Sequence, residues 1–336
     1  MNELSPIRKK LRLVRAYVSG RPVFCTWQVT YACNFRCGFC SYWKEDVNYS
    51  AEARAREATL GDFRLGAAKI GELGSLLVNL SGGEPFVRHD LCEIVNIFAG
   101  QHFPLLTTNG WFVTAQNARE LWQAGLWGIS VSLDFAGAQQ HDANRGVKGA
   151  AERARRAIEI LSNTREHRHQ RVNLMCVLND RNLGDVEELI RFAAAYDASF
   201  MIQPYAAFKS GKSEFVPQCE SVPELLRLKK RYRNFVSNRH FLSRFERFYG
   251  RGGVPQCRAG RAFFNVDNFM NVQKCVEFRE EKVGNLRELD AVEMLRRLNT
   301  EQERNQCRAC WYNCRGEVES LYSVSGFLGA APTLLR

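Results

Sequence analysis

From residue 23 onward, short apolar or β-branched runs alternate with longer stretches of helical period, and no other feature of the chain restricts its fold as much. Runs at 23–30, 76–80, 104–108, 128–133, 171–178 and 199–203 read as strands. Segments at 60–73, 90–98, 114–124, 149–162 and 182–196 read as the helices between them. A strand that returns through a helix lies parallel to its predecessor, so this pattern predicts an α/β fold of six βα units around a parallel sheet. Most of the strands end in polar or glycine-containing turns: Ser81-Gly82-Gly83-Glu84-Pro85, Thr107-Thr108-Asn109-Gly110 and Ser132-Leu133-Asp134. Ligands of parallel sheets gather at the carboxyl ends of the strands, so these turns should converge on one site.

The 336 residues are 45% hydrophobic and 25% charged, enough for one large core and a smaller appendage. The opening residues lack the apolar stretch of a signal peptide, and no run approaches the roughly 18 apolar residues of a membrane span, which predicts a cytoplasmic protein. Twelve cysteines at short spacings in a chain of this size point to metal rather than to disulfides. The net charge of +11 draws any polyanion and does not choose among them. After residue 205 the alternation breaks. The chain divides into a basic segment (1–22), a core (23–220), a basic helical linker (221–253) and a cysteine-rich domain (254–336).

Cys33, Cys37 and Cys40 follow the first strand with three and then two residues between them. Three thiolates on one short loop can hold three corners of an iron-sulfur cube and leave the fourth iron open for a ligand. A structural zinc site, which needs a fourth ligand close by, and plain core cysteines are the alternatives. Neither predicts this spacing after a strand.

The Cys-x3-Cys-x2-Cys loop, with Phe39 before its third cysteine, resembles the defining motif of the radical SAM superfamily, and Gly82-Gly83-Glu84-Pro85 resembles that family's motif for the methionine amino group. The resemblance spans roughly the first two thirds of the chain. It implies a partial (βα)6 parallel barrel with a small C-terminal iron-sulfur domain. Cys33, Cys37 and Cys40 would hold a [4Fe-4S] cluster that reductively cleaves S-adenosylmethionine to a 5'-deoxyadenosyl radical, which abstracts hydrogen from the substrate. Gly82 and Gly83 would admit the ligand closely, and Glu84 with free carbonyls would accept from its ammonium. Ser132 and Arg145 resemble positions that bind the cofactor's carboxylate, an arginine fork suiting that group. Arg145 can also be read as a solvated residue where a helix starts. Phe39 would lie against the adenine or else pack in the core, and Asn109 and Asp134 complete the cofactor-binding set. At the fifth strand the family's glycine-rich adenine pattern is replaced by Val172-Asn173-Leu174-Met175-Cys176-Val177, which leaves the adenine and ribose contacts unassigned.

The tail carries Cys257-Arg258-Ala259-Gly260, Cys275 and Cys307-x2-Cys310-x3-Cys314, a metal-binding pattern for which a four-cysteine zinc knuckle is the alternative. It resembles the Twitch or SPASM extension, including Val283-Gly284-Asn285-Leu286. One auxiliary [4Fe-4S] cluster is implied, for electron transfer or substrate binding. Cys257, Cys275, Cys307 and Cys310 match best, and Cys314 replaces one of them or stays free. Cys25, Cys92, Cys176 and Cys219 read as isolated, buried small apolar residues.

Lys229, Lys230, Arg231, Arg233, Arg239 and Arg244 are interleaved with Tyr232, Phe235, Phe241 and Phe245. Such a stretch can meet nucleic acid or an anionic lipid surface, but an amphipathic helix with its rings in the core is favoured. The run Arg8-Lys9-Lys10-Leu11-Arg12-Leu13-Val14-Arg15 raises the same question of weak membrane-surface contact. The expected partners are an external electron donor, flavodoxin or ferredoxin, and a small-molecule or peptide substrate. A small molecule is slightly preferred, because the segment before the first strand is short for a leader-binding module. The competing readings are a non-catalytic iron-sulfur electron carrier or redox sensor and an RNA-modifying radical enzyme, with nucleic acid disfavoured.

Overall fold

A computed structural model of the chain describes residues 4–44, 50–207, 211–249, 253–323 and 326. All six predicted strands form: β1 (Phe24–Thr30), β2 (Leu77–Gly82), β3 (Phe103–Thr108), β4 (Gly128–Ser132), β5 (Arg171–Leu178) and β6 (Ser199–Pro204). They pair in parallel, each with the next. The helices Leu60–Leu73, Leu91–Ala99, Ala115–Gln123, Ala150–Asn163 and Val186–Ala195 connect them. Strand order follows chain order without a reversal, so crossovers of one hand put every helix on the same face and the sheet curls into a partial barrel.

Helix starts obey local chemistry. Thr59 with Asp62, and Thr114 with Asn117, form reciprocal capping boxes. The segment predicted as one helix over 182–196 begins instead as a 3-10 turn, Leu183–Asp185. The Asn182 amide explains the delay, since it donates to Asp134 O at 2.8 Å and Val177 O at 2.9 Å and ties the chain to the strand ends.

Alternation along the strands separates two environments. Cys25, Trp27 and Val29, Val78 and Leu80, Ile129 and Val131, Leu174 and Cys176, and Phe200 and Ile202 are buried in the core under the helices. Gln28, Asn79, Thr107, Ser130, Asn173 and Gln203 point the other way and line the inside of the barrel. The sheet is apolar outside and mixed within, where Phe24, Leu77, Leu105, Met175 and Met201 share the inner face with these polar residues.

The cysteine-rich tail is joined to this sheet. β7 (Phe263–Val266) pairs in parallel with β1, and β8 (Asn271–Gln273) and β9 (Lys282–Asn285) continue antiparallel. The helices Ala291–Arg304 and Asn313–Ser320 follow. The predicted helical linker is three short helices, Val222–Arg231, Arg239–Leu242 and Phe245–Phe248, with extended chain between the first two, where Phe200 N–H donates to Asn234 O at 2.7 Å and Val236 N–H to Phe200 O at 2.9 Å. Phe235, Phe241 and Phe245 are fully buried, and Arg227 and Arg231 pair with Glu187. The rings therefore serve the core and are not a stacking platform for nucleic acid.

Cys25 and Cys176 are buried as expected, but Cys92 is only half-buried and Cys219 is exposed. The helix Pro6–Val18 is capped by Ser5 and tied down by Lys9 to Ala99 O, Arg12 to Gly71 O at 3.2 Å and Tyr17 to Leu321 O. Among the described residues no helix is long and apolar enough to cross a membrane.

Candidate active site

The loop after β1 carries Cys33, Cys37 and Cys40 and is held from several sides. Ala32 N–H donates to Thr30 Oγ1 at 3.1 Å, Phe35 N–H to Cys33 Sγ at 3.4 Å, and Trp43 Nε1 to Cys37 O at 2.9 Å. Gly83 N–H donates to Thr30 O at 2.9 Å and Glu84 N–H to Ala32 O at 2.8 Å, which presses the Gly-Gly-Glu-Pro turn onto the root of the loop. A Cβ on Gly82 would lie 2.0 Å from Thr30 O, and one on Gly83 would lie 2.1 Å from Ala32 O. The glycines are thus required by contact between two stretches of main chain, a reason beyond the expected approach of a ligand.

Glu84 is buried, and its carboxylate accepts from Thr108 Oγ1 at 2.8 Å, Asn109 N–H at 2.7 Å and Phe86 N–H at 3.2 Å. Burial raises its pKa to about 7 against the pull of those donors. It ties the ends of β2 and β3 together. Asn109 also donates to Asn34 at 2.8 Å and so links β3 to the cysteine loop, while Pro85 is buried at the start of a 3-10 turn, Pro85–Val87.

Arg145 ends a helix that the sequence did not announce, Ala138–Arg145, and it is buried, which overturns the reading of a solvated residue where a helix starts. Its guanidinium pairs with Asp134 at 2.8 Å and lies 5.1 Å from the Phe39 ring. Asp134 also accepts from Asn144 at 2.8 Å and Val177 N–H at 2.9 Å, and it does not line the cavity described next. Asp134 thus meets the site through the guanidinium of Arg145. Burial pushes Asp134 up and Arg145 pulls it down. Burial likewise raises Cys33 to about 12 and Cys37 to about 11, with Arg145 opposing at Cys37.

A cavity of about 520 Å³ opens at the carboxyl ends of the strands. Cys33, Cys37, Cys40, Phe39, Gly82, Gly83, Glu84, Asn109, Ser132 and Arg145 line one part of it, and Tyr312, Asn313, Cys314 and Glu317 another. The polar strand residues form the wall between. Cys257, Cys275, Cys307, Cys310 and Cys314 line a second, narrow pocket, so Cys314 belongs to both walls. Burial raises Cys275 to about 12 and Cys310 to about 11, and pushes Cys257 and Cys314 well up. A metal bound here would have to displace the protons of these thiols.

Sequence reasoning missed Arg315, a fully buried cation next to these thiols. Its guanidinium donates to Cys310 O at 2.7 Å and to Pro255 O and lies 3.4 Å from Glu319. Its position directly after Cys314 was the available signal. Among the described residues no three His, Cys, Asp or Glu side chains converge on a position for one ion. A zinc ion would gather sulfurs at roughly 2.3 Å around one point. Five thiols spaced around a pocket suit a polynuclear iron-sulfur group, as three thiols and an arginine at the mouth of a cavity suit a cluster with an anionic ligand.

Glu317 faces the cavity with both carboxylate oxygens accepting from Asn238 N–H, at 2.9 and 3.1 Å, and burial raises its pKa to about 7. A raised carboxyl favours the folded state while protonated. Its contribution should be whole below pH 4.5 and lost as pH rises through about 7, a loss on the order of 3 kcal/mol that Glu317→Gln should flatten in denaturant titrations across that window.

The radical SAM superfamily model matches residues 27–193. The mycofactocin maturase MftC of Mycolicibacterium smegmatis is 28% identical over 325 residues, 91% of this chain and 80% of the maturase. The PqqA peptide cyclase of Bradyrhizobium diazoefficiens is 24% identical over 92% of this chain and 77% of the cyclase. Among solved structures, Streptococcus suis SuiB bound to its precursor peptide SuiA superposes with a TM-score of 0.65 at 16% identity, over 95% of this chain and 77% of SuiB.

Proposed function

The chain belongs to the radical SAM superfamily and cleaves S-adenosylmethionine with a [4Fe-4S] cluster, and we propose that it directs the resulting radical at a peptide. Two relatives matched along most of the chain are a maturase and a peptide cyclase, which favours a peptide over the small molecule first preferred. The observation that carries the reading is a single cavity bounded by the Cys33, Cys37 and Cys40 loop and by Cys314 of the second set.

When bound, the cluster and S-adenosylmethionine supply a reductive carbon-sulfur cleavage and a radical able to take a hydrogen atom. The protein's part is placement. Cys33, Cys37 and Cys40 hold the cluster; Arg145, aimed by Asp134, offers its fork to the cofactor's carboxylate, and Phe39, Asn109, Ser132 and the Gly82-Gly83 main chain close around the rest. Asn79, Asn173 and Gln203 present donors and acceptors to a substrate with amide groups. Cys257, Cys275, Cys307 and Cys310 hold the auxiliary cluster, with Cys314 on the wall it shares with the substrate. A flavodoxin or ferredoxin supplies the electron, and the enzyme works in the cytoplasm.

Anaerobically reconstituted, reduced protein given S-adenosylmethionine should release 5'-deoxyadenosine and contain about eight irons. A Cys257→Ala, Cys275→Ala variant should hold about four fewer, and an amide-bearing peptide, not the free amino acids, should be consumed. Loaded clusters without release under several reductants would favour the electron-carrier reading.

A further inference from the structure

The helix Pro6–Val18 lies at the amino ends of the strands, over the turns that precede β2 and β3, and its last turn reaches Leu321 of the cavity wall through Tyr17. Lys9, Leu13, Ala16 and Tyr17 face the body of the protein. Ile7, Leu11, Val14 and Val18 face solvent at 72%, 65%, 59% and 77% exposure, half of the eight large exposed hydrophobic side chains among the described residues. At 100° per residue these four fall within a sector of about 60°. Exposed Arg8 and Arg15 border that sector on one side and Lys10 on the other, and the helix contains no acidic residue.

The same end of the barrel adds more of this chemistry. The loop before β5 exposes His167, Arg168 and His169, with His169 stacked on the half-buried Trp127 ring at 4.7 Å. Lys10 is close enough for its charge to bear on His169, which joins the loop to the helix. The surface is a convex aliphatic ridge between two rows of cations, with an indole beside it. With cations on both sides and no acidic residue in the helix, this surface complements a layer with anionic headgroups over an apolar interior.

We propose that this face docks on an anionic lipid surface, with Ile7, Leu11, Val14 and Val18 entering the headgroup boundary and Arg8, Lys10, Arg15 and Arg168 meeting the charged headgroups. The cavity at the carboxyl ends then faces away from the bilayer, open to substrate from the aqueous side.

Pelleting of the cluster-loaded chain with phosphatidylcholine vesicles, with and without phosphatidylserine, tests this. The protein should pellet only with the anionic vesicles. Arg8→Gln and Lys10→Gln should each weaken binding by about fivefold, and added salt should do the same. Leu11→Ser with Val14→Ser should abolish it, while 5'-deoxyadenosine release stays unchanged in all three variants. Equal pelleting with both vesicles, or none, overturns the proposal. So does a homodimer that the Leu11→Ser, Val14→Ser variant dissociates, because a second copy would then be what covers the ridge.

Discussion

Replacing Cys33, Cys37 and Cys40 together with alanine should remove about four irons and reduce 5'-deoxyadenosine release to background, with the fold retained. The three side chains share one loop at the mouth of the cavity, and the described residues offer no other thiol there except Cys314, which sits on the far wall. Structure should survive because the loop is held by its main chain: Gly83 to Thr30, Glu84 to Ala32, and Trp43 to Cys37 O. Removing one sulfur at the buried Cys37 site costs about 1 kcal/mol, well within the margin of a domain this size. Iron and sulfide content, thermal melting and product release on one sample separate the outcomes. Persisting release would refute the assignment of these cysteines, while a collapsed melting transition would show that the loop needs its sulfurs to fold.

Gly83→Ala should be nearly as damaging by a different route. The new methyl would meet Ala32 O at 2.1 Å and Tyr31 O at 2.5 Å, and main-chain oxygens cannot rotate away. Relief requires pushing the Gly-Gly-Glu-Pro turn off the cysteine loop, with loss of the hydrogen bonds to Thr30 O and Ala32 O. Each is worth about 1 kcal/mol, so together with the displaced packing a destabilisation of about 3 kcal/mol is expected. The first cluster should be lost and the tail's irons kept. Denaturant titration and iron analysis check this; wild-type stability would mean that the turn does not need this contact.

What the sequence revealed and what it hid follow from the range of the forces involved. Hydrophobic periodicity is local, and it located six strands and five helices with errors of a residue or two at most ends. The helix Ala138–Arg145 has no apolar stripe; His141 accepts from Asp134 N–H and Arg145 pairs with Asp134, so tertiary partners hold it and no window of sequence shows them. The pairing of Asp134 with Arg145 was hidden for the same reason, since a carboxylate at a strand end looks alike whether it faces a ligand or an arginine. β7, β8 and β9 are three or four residues long, too short for a period to register. The cysteine spacings were legible because a metal group demands them, whereas Arg315 was not, because its i,i+4 pair with Glu319 looks like an ordinary surface pair until the last helix docks and buries it. The polar positions on the inner face of the barrel were present in the alternation of Thr26, Trp27, Gln28 and Val29, but their sense depends on which side the helices cover.

The pairing of β7 with β1, and of residues 234–236 with β6, covers the two margins of the six-stranded barrel. A six-stranded open barrel would end in two rows of unpaired amides and carbonyls, each a template for another molecule's strand. Here each terminal strand is blunted by a segment from the last third of the chain. The cysteine tail is therefore also a stopper for the barrel, and a nascent chain released before that tail has been made would carry a bare, aggregation-prone margin along β1.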